Sequence, residues 1–301
     1  MQKKSAPIYF FNSSTGQLEK EKVYGENYLR WAYENPLGWV ATNSFLKRAW
    51  FSQFYGWRMN QPSSVKLIRP FIEKYQIDTT EFSESIDSFT NFNDFFYRRL
   101  KPEARPIDPD PSSFVFPADG RHLAIPNLNN ATNFYVKGQE FNLRNFIADP
   151  ILAERFKGGS LLISRLCPVD YHRFHFPLSG NVGISQKIGG SLQSVNPIAM
   201  RRNLSILWHN RRNRTLLTLS GGTTVLIIEI GATCVGRIHQ TFTPNSQVSK
   251  GAEKGFFAFG GSCLVTISEP GVIEFNPDLI EHSSSAIETY AKIGQIAGKL
   301  K

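Results

Sequence analysis

Cysteine is scarce. Only Cys167, Cys234 and Cys263 occur in 301 residues, and no two form a CxxC pair. That spacing argues against a disulfide framework or a thiolate zinc site and fits a reducing compartment. Long apolar runs are missing too. No stretch approaches the roughly 20 residues that span a bilayer, and the basic start Met1-Gln2-Lys3-Lys4 is not followed by an apolar segment of signal-peptide quality. If this chain meets a membrane, it is expected to lie on the surface. Acidic residues are outnumbered, 25 Asp and Glu against 34 Lys and Arg, a formal charge of +9. This favours an anionic partner, nucleic acid or an anionic lipid surface, without choosing between them. Hydrophobic content of 41% with 20% charged residues excludes a disordered chain.

The fold class expected is α+β and mainly β. Residues 1–110 form an N-terminal lead and an aromatic, amphipathic helical region. Residues 111–301 form a β-rich barrel or sandwich-like domain. The lead pairs Ile8-Tyr9-Phe10-Phe11 with the turn signal Asn12-Ser13-Ser14-Thr15-Gly16. Leu46, Trp50, Phe54 and Trp57 then recur at helical spacing. Four of the five tryptophans, Trp31, Trp39, Trp50 and Trp57, lie in this region. Such a stripe either packs on the main core or sits at a bilayer interface, where the ring is half wetted. A second helix over 65–75 is expected to kink or split at Pro70. After residue 111 short β-branched runs such as 160–164, 223–230 and 271–275 alternate with Gly, Pro and Asn, the pattern of a barrel or sandwich. Residues 283–300 return to a helix-like composition.

Three segments carry chemistry. Gly-Gly-Ser occurs at 158–160, 189–191 and 260–262, and such triplets are ordinarily turns. Only the third lies between an apolar aromatic run, 254–259, and a β-branched run, 263–267. It reads as strand, tight bend, strand, with the Ser262 hydroxyl directly after the sterically open Gly261 carbonyl. The second segment holds His172 and His175 between Pro168 and Pro177. On an extended chain their side chains face opposite ways, so they make a poor chelate and fit two separate tasks. The third is Pro117-Ala118-Asp119-Gly120, either a plain turn or the acid that orients a histidine. The arginines at 201–202 and 211–214 make an unimpressive nucleic-acid patch; a solvated loop or contact with lipid phosphates suits them better.

In order along the chain stand Glu21-Lys22-Val23-Tyr24-Gly25, Phe92-Asn93-Asp94-Phe95-Phe96, Arg98-Arg99-Leu100-Lys101-Pro102, Pro117-Ala118-Asp119-Gly120, Tyr171-His172-Arg173-Phe174-His175, Val195-Asn196-Pro197, Gly231-Ala232-Thr233-Cys234-Val235-Gly236 and Phe259-Gly260-Gly261-Ser262. Together they resemble the prokaryotic-type, pyruvoyl-dependent phosphatidylserine decarboxylases over nearly the whole chain. The resemblance implies a carboxy-lyase of phospholipid biosynthesis, made as a zymogen and cut between Gly261 and Ser262 into chains 1–261 and 262–301 that stay associated. It implies a self-processing triad of Asp119, His175 and Ser262, with His175 as general base, and a role for His172 in decarboxylation. Ser262 would become the pyruvoyl group, whose ketone forms a Schiff base with the substrate amine; neither metal nor pyridoxal phosphate is implied. It further implies phosphatidylserine in the membrane as partner rather than nucleic acid, a homodimer, and a peripheral position on the cytoplasmic face of a bacterial cell membrane, with Trp39, Trp50 and Trp57 as anchors. One position departs from the family: Cys263 stands where threonine is usual, similar in size but without the hydroxyl.

Two rival readings remain at this level. A Ser-His-Asp hydrolase acting on a lipid or ester uses the same residue types but predicts an intact chain, and its usual Gly-x-Ser-x-Gly is absent around Ser262. A non-catalytic binding module predicts no dependence on Ser262 at all.

Overall fold

The computed structural model describes residues 7–42, 49–130, 140–233, 238–260 and 262–301, with the backbone alone at 39, 49–51 and 130. The β-branched runs form its centre. Thr224–Gly231, Ser262–Ser268 and Ser160–Leu166 are fully buried adjacent strands of an 11-stranded sheet. Beyond Ser160–Leu166 the sheet continues through Gly120–Ile125, Glu288–Ala291, Tyr9–Asn12 and Gln17–Lys20. On the other side come Arg212–Thr218, Gly180–Val182 and Ser246–Val248. Every pairing is antiparallel except Tyr9–Asn12 with Glu288–Ala291. The described strands do not close into a barrel.

Side-chain alternation divides the core into layers. Leu162, Leu166, Val225, Ile227 and Leu264 point into one cluster. There they meet two three-stranded sheets, built from Ile238–Gln240, Glu253–Phe257 and Arg173–His175, and from Ile273–Phe275, Ile296–Leu300 and Ser113–Val115. Leu161, Ile163, Leu226, Ile228, Cys263 and Val265 point the opposite way, toward short helices that include Leu143–Ile147 and Pro150–Arg155. The result is a covered sheet on the sandwich plan.

A third cluster lies in the N-terminal region, where Met59, Ile68, Phe71, Phe92, Phe95 and Phe96 enclose Phe259. The helices here are Glu26–Glu34, Pro36–Ala41, Ala49–Met59, Ile68–Tyr75 and Phe92–Phe96. Two local expectations need correction. Pro70 does not split its helix: a 3₁₀ segment, Pro62–Leu67, comes first, and Pro70 then falls in the first turn of Ile68–Tyr75, where no intrahelical N–H bond is due. The C-terminal stretch is helical only over Pro277–Ser284. Glu288–Ala291 and Ile296–Leu300 are strands, each held between two neighbours. Gly298 explains part of this, since a Cβ there would lie 2.3 Å from the Glu274 carbonyl oxygen of the paired strand. Ladder pairing overrides local helical propensity.

Candidate active site

Ser262 opens a central strand. It pairs with Gly231 on one side and Leu166 on the other, is fully buried, and its Oγ has no hydrogen-bond partner among the described residues. The preceding strand, Glu253–Phe257, belongs to a different sheet, so the chain must cross between sheets over residues 258–261. Gly260 makes the crossing at φ 136°, a conformation open mainly to glycine. Gly261 lies outside the described residues, as do Cys234, Val235 and Gly236.

The approach to the bend is anchored from the N-terminal region. The Phe259 N–H donates to Asn93 Oδ1 at 2.8 Å, while Asn93 Nδ2 donates to Asn60 Oδ1 at 2.7 Å. The Phe259 ring packs on Phe92, Phe96 and Tyr55. The Phe92-Asn93-Asp94-Phe95-Phe96 block therefore fixes the residue two before the expected cleavage point. Sequence reasoning quoted this block as a motif without assigning Asn93 a role.

His172 and His175 occupy different surroundings, as alternation required. His172 is fully buried with its ring 3.9 Å from that of Phe96. Nδ1 lies 2.9 Å from the Asp170 carbonyl oxygen, so in the neutral ring Nδ1 carries the proton and Nε2 the lone pair. Nε2 is buried and makes no hydrogen bond of normal geometry among the described residues, although the Gly260 carbonyl is near enough to favour its protonation. Burial pushes the His172 pKa down to about 3, against the pull of the Asp170 and Gly260 carbonyls. His175 ends the strand Arg173–His175, and its N–H donates to the Pro117 carbonyl at 2.8 Å. Its buried Nδ1 is also without a partner among the described residues. Burial lowers its pKa to about 4, opposed by the charges of Glu253 and Asp119.

Asp119 is buried and its carboxylate is already filled. Arg105 Nε lies 2.8 Å and Nη2 2.6 Å from Oδ2, and the Ile293 N–H donates to Oδ1 at 2.9 Å. Arg105 also pairs with Glu81, which binds Lys292. The fold thus brings Asp119 beside His175 through the Pro117 backbone and sets His172 near Gly260. No hydrogen bond joins Ser262, His175 and Asp119 to one another among the described residues.

A cavity of about 520 Å³ opens against Phe259 and Gly260. Tyr24, Tyr28, Tyr33, Tyr55 and Tyr75 line it, supplied mostly by the N-terminal helices. The Tyr33 hydroxyl accepts the Ser194 N–H at 2.9 Å, tying the first helix to the Val195-Asn196-Pro197 segment. Arg165 lies in the wall, held at 2.5 Å by Glu21 and 2.6 Å by Glu288. Burial alone would raise the Glu21 pKa, but the charges of Arg165 and Arg121 hold it at about 2. An aromatic cavity with a few fixed polar groups, adjoining a buried unpartnered serine, has the form of a small-molecule site.

A profile of the phosphatidylserine decarboxylases matches residues 92–298, more than half of the chain. The chain belongs to the phosphatidylserine decarboxylase family. Among similar proteins, the phosphatidylserine decarboxylase proenzyme of Chlamydia muridarum is 43% identical over 98% of each chain. The proenzyme of Clostridium perfringens is 40% identical over 97% of this chain and 99% of its own. That of Fusobacterium nucleatum is 40% identical over 98% of each.

The family's usual threonine position, Cys263, faces Leu123, Ile163 and Val265 in an apolar cluster. Its nearest polar contact is the Leu264 carbonyl oxygen at 3.8 Å from Sγ, and burial pushes the thiol pKa up. The side chain fills space and directs no group at Ser262. Of the expected tryptophan anchors, Trp57 is 58% exposed and contacts Phe54, itself 56% exposed. The side chains of Trp39 and Trp50, and all of Leu46, lie outside the described residues.

Proposed function

We propose that this chain, a decarboxylase proenzyme by family, breaks its own Gly261–Ser262 bond and then converts phosphatidylserine to phosphatidylethanolamine and CO2 with the pyruvoyl group that Ser262 becomes. The observation that carries this reading is the buried Ser262 Oγ, without a hydrogen-bond partner among the described residues, at the head of a central strand directly after a bend. Buried hydroxyls ordinarily find partners. One left without a partner beside a glycine bend, with His172 Nε2 and His175 Nδ1 likewise unpartnered among the described residues, suits a group that reacts rather than one that holds the fold.

In the processing step His175 takes the Ser262 proton and Oγ attacks the Gly261 carbonyl carbon, giving an ester as the amide C–N bond breaks. Elimination across the serine Cα–Cβ bond frees the Gly261 carboxylate, and hydrolysis releases ammonia and leaves the pyruvoyl group. That group supplies an electron sink for the pair left behind as CO2 departs. The aromatic cavity holds the headgroup away from water. His172 is neutral before substrate arrives; an adjoining substrate carboxylate favours its protonated form and so prepares it to return a proton to carbon.

Sheet order supports chains that stay together. Ser262–Ser268 lies between two strands of the larger piece, and Arg165 of that piece grips Glu288 of the smaller. The hydrolase alternative is not supported: the relatives are decarboxylase proenzymes.

The membrane position belongs to the same proposal. No described helix is long and apolar enough to cross a bilayer, yet Leu37, Val40, Phe54 and Trp57 all stand more than half exposed on the N-terminal helices. Burying each in lipid would contribute roughly 1.5–3 kcal/mol, which with the net charge of +9 suits peripheral attachment to the anionic cytoplasmic face. The homodimer implied by family resemblance is proposed with it. The test is CO2 release from phosphatidylserine vesicles: wild type should release it and Ser262→Ala should not. Equal release by both would overturn the reading.

A further inference from the structure

A second cavity, about 260 Å³, adjoins Asp119 on the polar side of the histidine loop. Its most unusual member is Arg98. The guanidinium lies 4.8 Å from the Phe82 ring centre and 5.0 Å from that of Phe95. Arg98 is only 6% exposed, its Nε has no hydrogen-bond partner, and no carboxylate among the described residues pairs with it. Burial lowers its pKa to about 10, which leaves it charged at neutral pH. Ring stacking fixes the plane of the guanidinium and offsets part of its desolvation, but it occupies none of the in-plane donors. A buried charge in this position calls for a counter-charge.

The neighbouring carboxylates do not provide one. Asp119 is taken by Arg105 and the Ile293 N–H. Asp170 is taken by Arg121 at 2.6 Å and by the Cys167 N–H. With those two pairs made, Arg98 is the one lining arginine without a carboxylate partner among the described residues. The Tyr171 and Tyr290 hydroxyls line the same cavity without a hydrogen-bond partner among the described residues. Burial raises the pKa of both phenols, Tyr171 to about 12, so both are neutral donors.

We propose that this cavity binds a small oxyanion, the size of phosphate or bicarbonate, held by Arg98 with the Tyr171 and Tyr290 hydroxyls. The site takes a free ion rather than a bilayer phosphate, because Arg98, Asp119, Asp170 and Tyr171 at its inner wall are all buried; Glu19 and Asp78, which also line the cavity, oppose either anion and limit the affinity. The inference stands apart from the decarboxylase reading, since binding is measured without turnover.

The test is calorimetric titration of inorganic phosphate into purified full-length protein, with ionic strength held constant by sodium chloride. Wild type should bind saturably, and Arg98→Met, which keeps an apolar stem against the two rings, should weaken binding at least about tenfold. Should that variant not fold, Tyr171→Phe with Tyr290→Phe removes only two oxygens and should weaken binding severalfold. Absence of saturable binding by wild type, or equal affinity in the variants, would overturn the site. Competition by dihexanoyl-phosphatidylglycerol as strong as that of phosphate itself would overturn the free-ion assignment.

Discussion

The two cavities share a wall and are built from opposite chemistry. Cys167 and Pro168 face the larger one, Val169, Asp170 and Tyr171 the smaller, and the same loop then delivers His172. The larger is walled by tyrosines of the N-terminal helical region and reaches Gly260. The smaller is walled by charged side chains, with Arg105 and Arg121 locked in pairs with Asp119 and Asp170. Under the proposed function the two sides serve separate tasks, and one short segment reaches both. Apolar surroundings beside the bend hold His172 neutral and suit a lipid headgroup, whereas the paired charges around Asp119 fix a carboxylate in place next to His175.

That division is open to attack from either side. The largest effect is expected on the apolar side: His172→Ala should still cleave, yet lose roughly 1,000-fold in decarboxylation, the scale of a lost proton-transfer group. A variant that neither cleaves nor decarboxylates would place both tasks on one histidine.

Acid comes next. His122 and His172 are fully buried, and burial lowers the pKa of each to about 3. The unfolded chain, with histidine near 6.5, therefore binds more protons than the folded chain between about pH 3 and 6.5. Stability is complete above that window and falls as pH drops through it, by roughly 2 kcal/mol per histidine at pH 5. Urea unfolding at pH 7 and pH 5 measures this, and equal midpoints would contradict neutral burial.

On the polar side, Arg105→Ala should slow self-cleavage roughly tenfold by freeing Asp119, with partial recovery in Arg105→Lys, which keeps the charge but not the fork. Gel-resolved cleavage rates of both variants provide the readout; an unchanged rate would remove Arg105 from the positioning of Asp119. The smallest effect is expected farthest from the bend. Trp57→Ala should reduce retention on phosphatidylglycerol-containing vesicles severalfold, and unchanged sedimentation would remove Trp57 as an anchor.

Much of the apolar side was legible in the sequence, because periodicity and aromatic spacing report burial directly. The strand–bend–strand at Ser262, the helix holding Trp50, Phe54 and Trp57, and the opposed histidines all follow from local pattern. The polar side was not. Arg105 and Arg121 lie 14 and 49 positions from Asp119 and Asp170, and nothing in their spacing says which carboxylate each will meet. The same limit hid Asn93, whose amide bridges Asn60 and Phe259 only after the third cluster has assembled. The C-terminal strands were obscured for a related reason: Ile296–Leu300 is a strand because Ile273–Phe275 and Ser113–Val115 lie beside it, with Gly298 admitting the close approach of the first.

The central claim is that Ser262 stops being a serine. Intact-mass measurement of the purified wild-type chain, with Ser262→Ala alongside, addresses it most directly. The account predicts two wild-type fragments parting after Gly261, the smaller with a blocked keto N-terminus, and a single whole chain for the variant. A folded wild-type chain that remains uncut would contradict it.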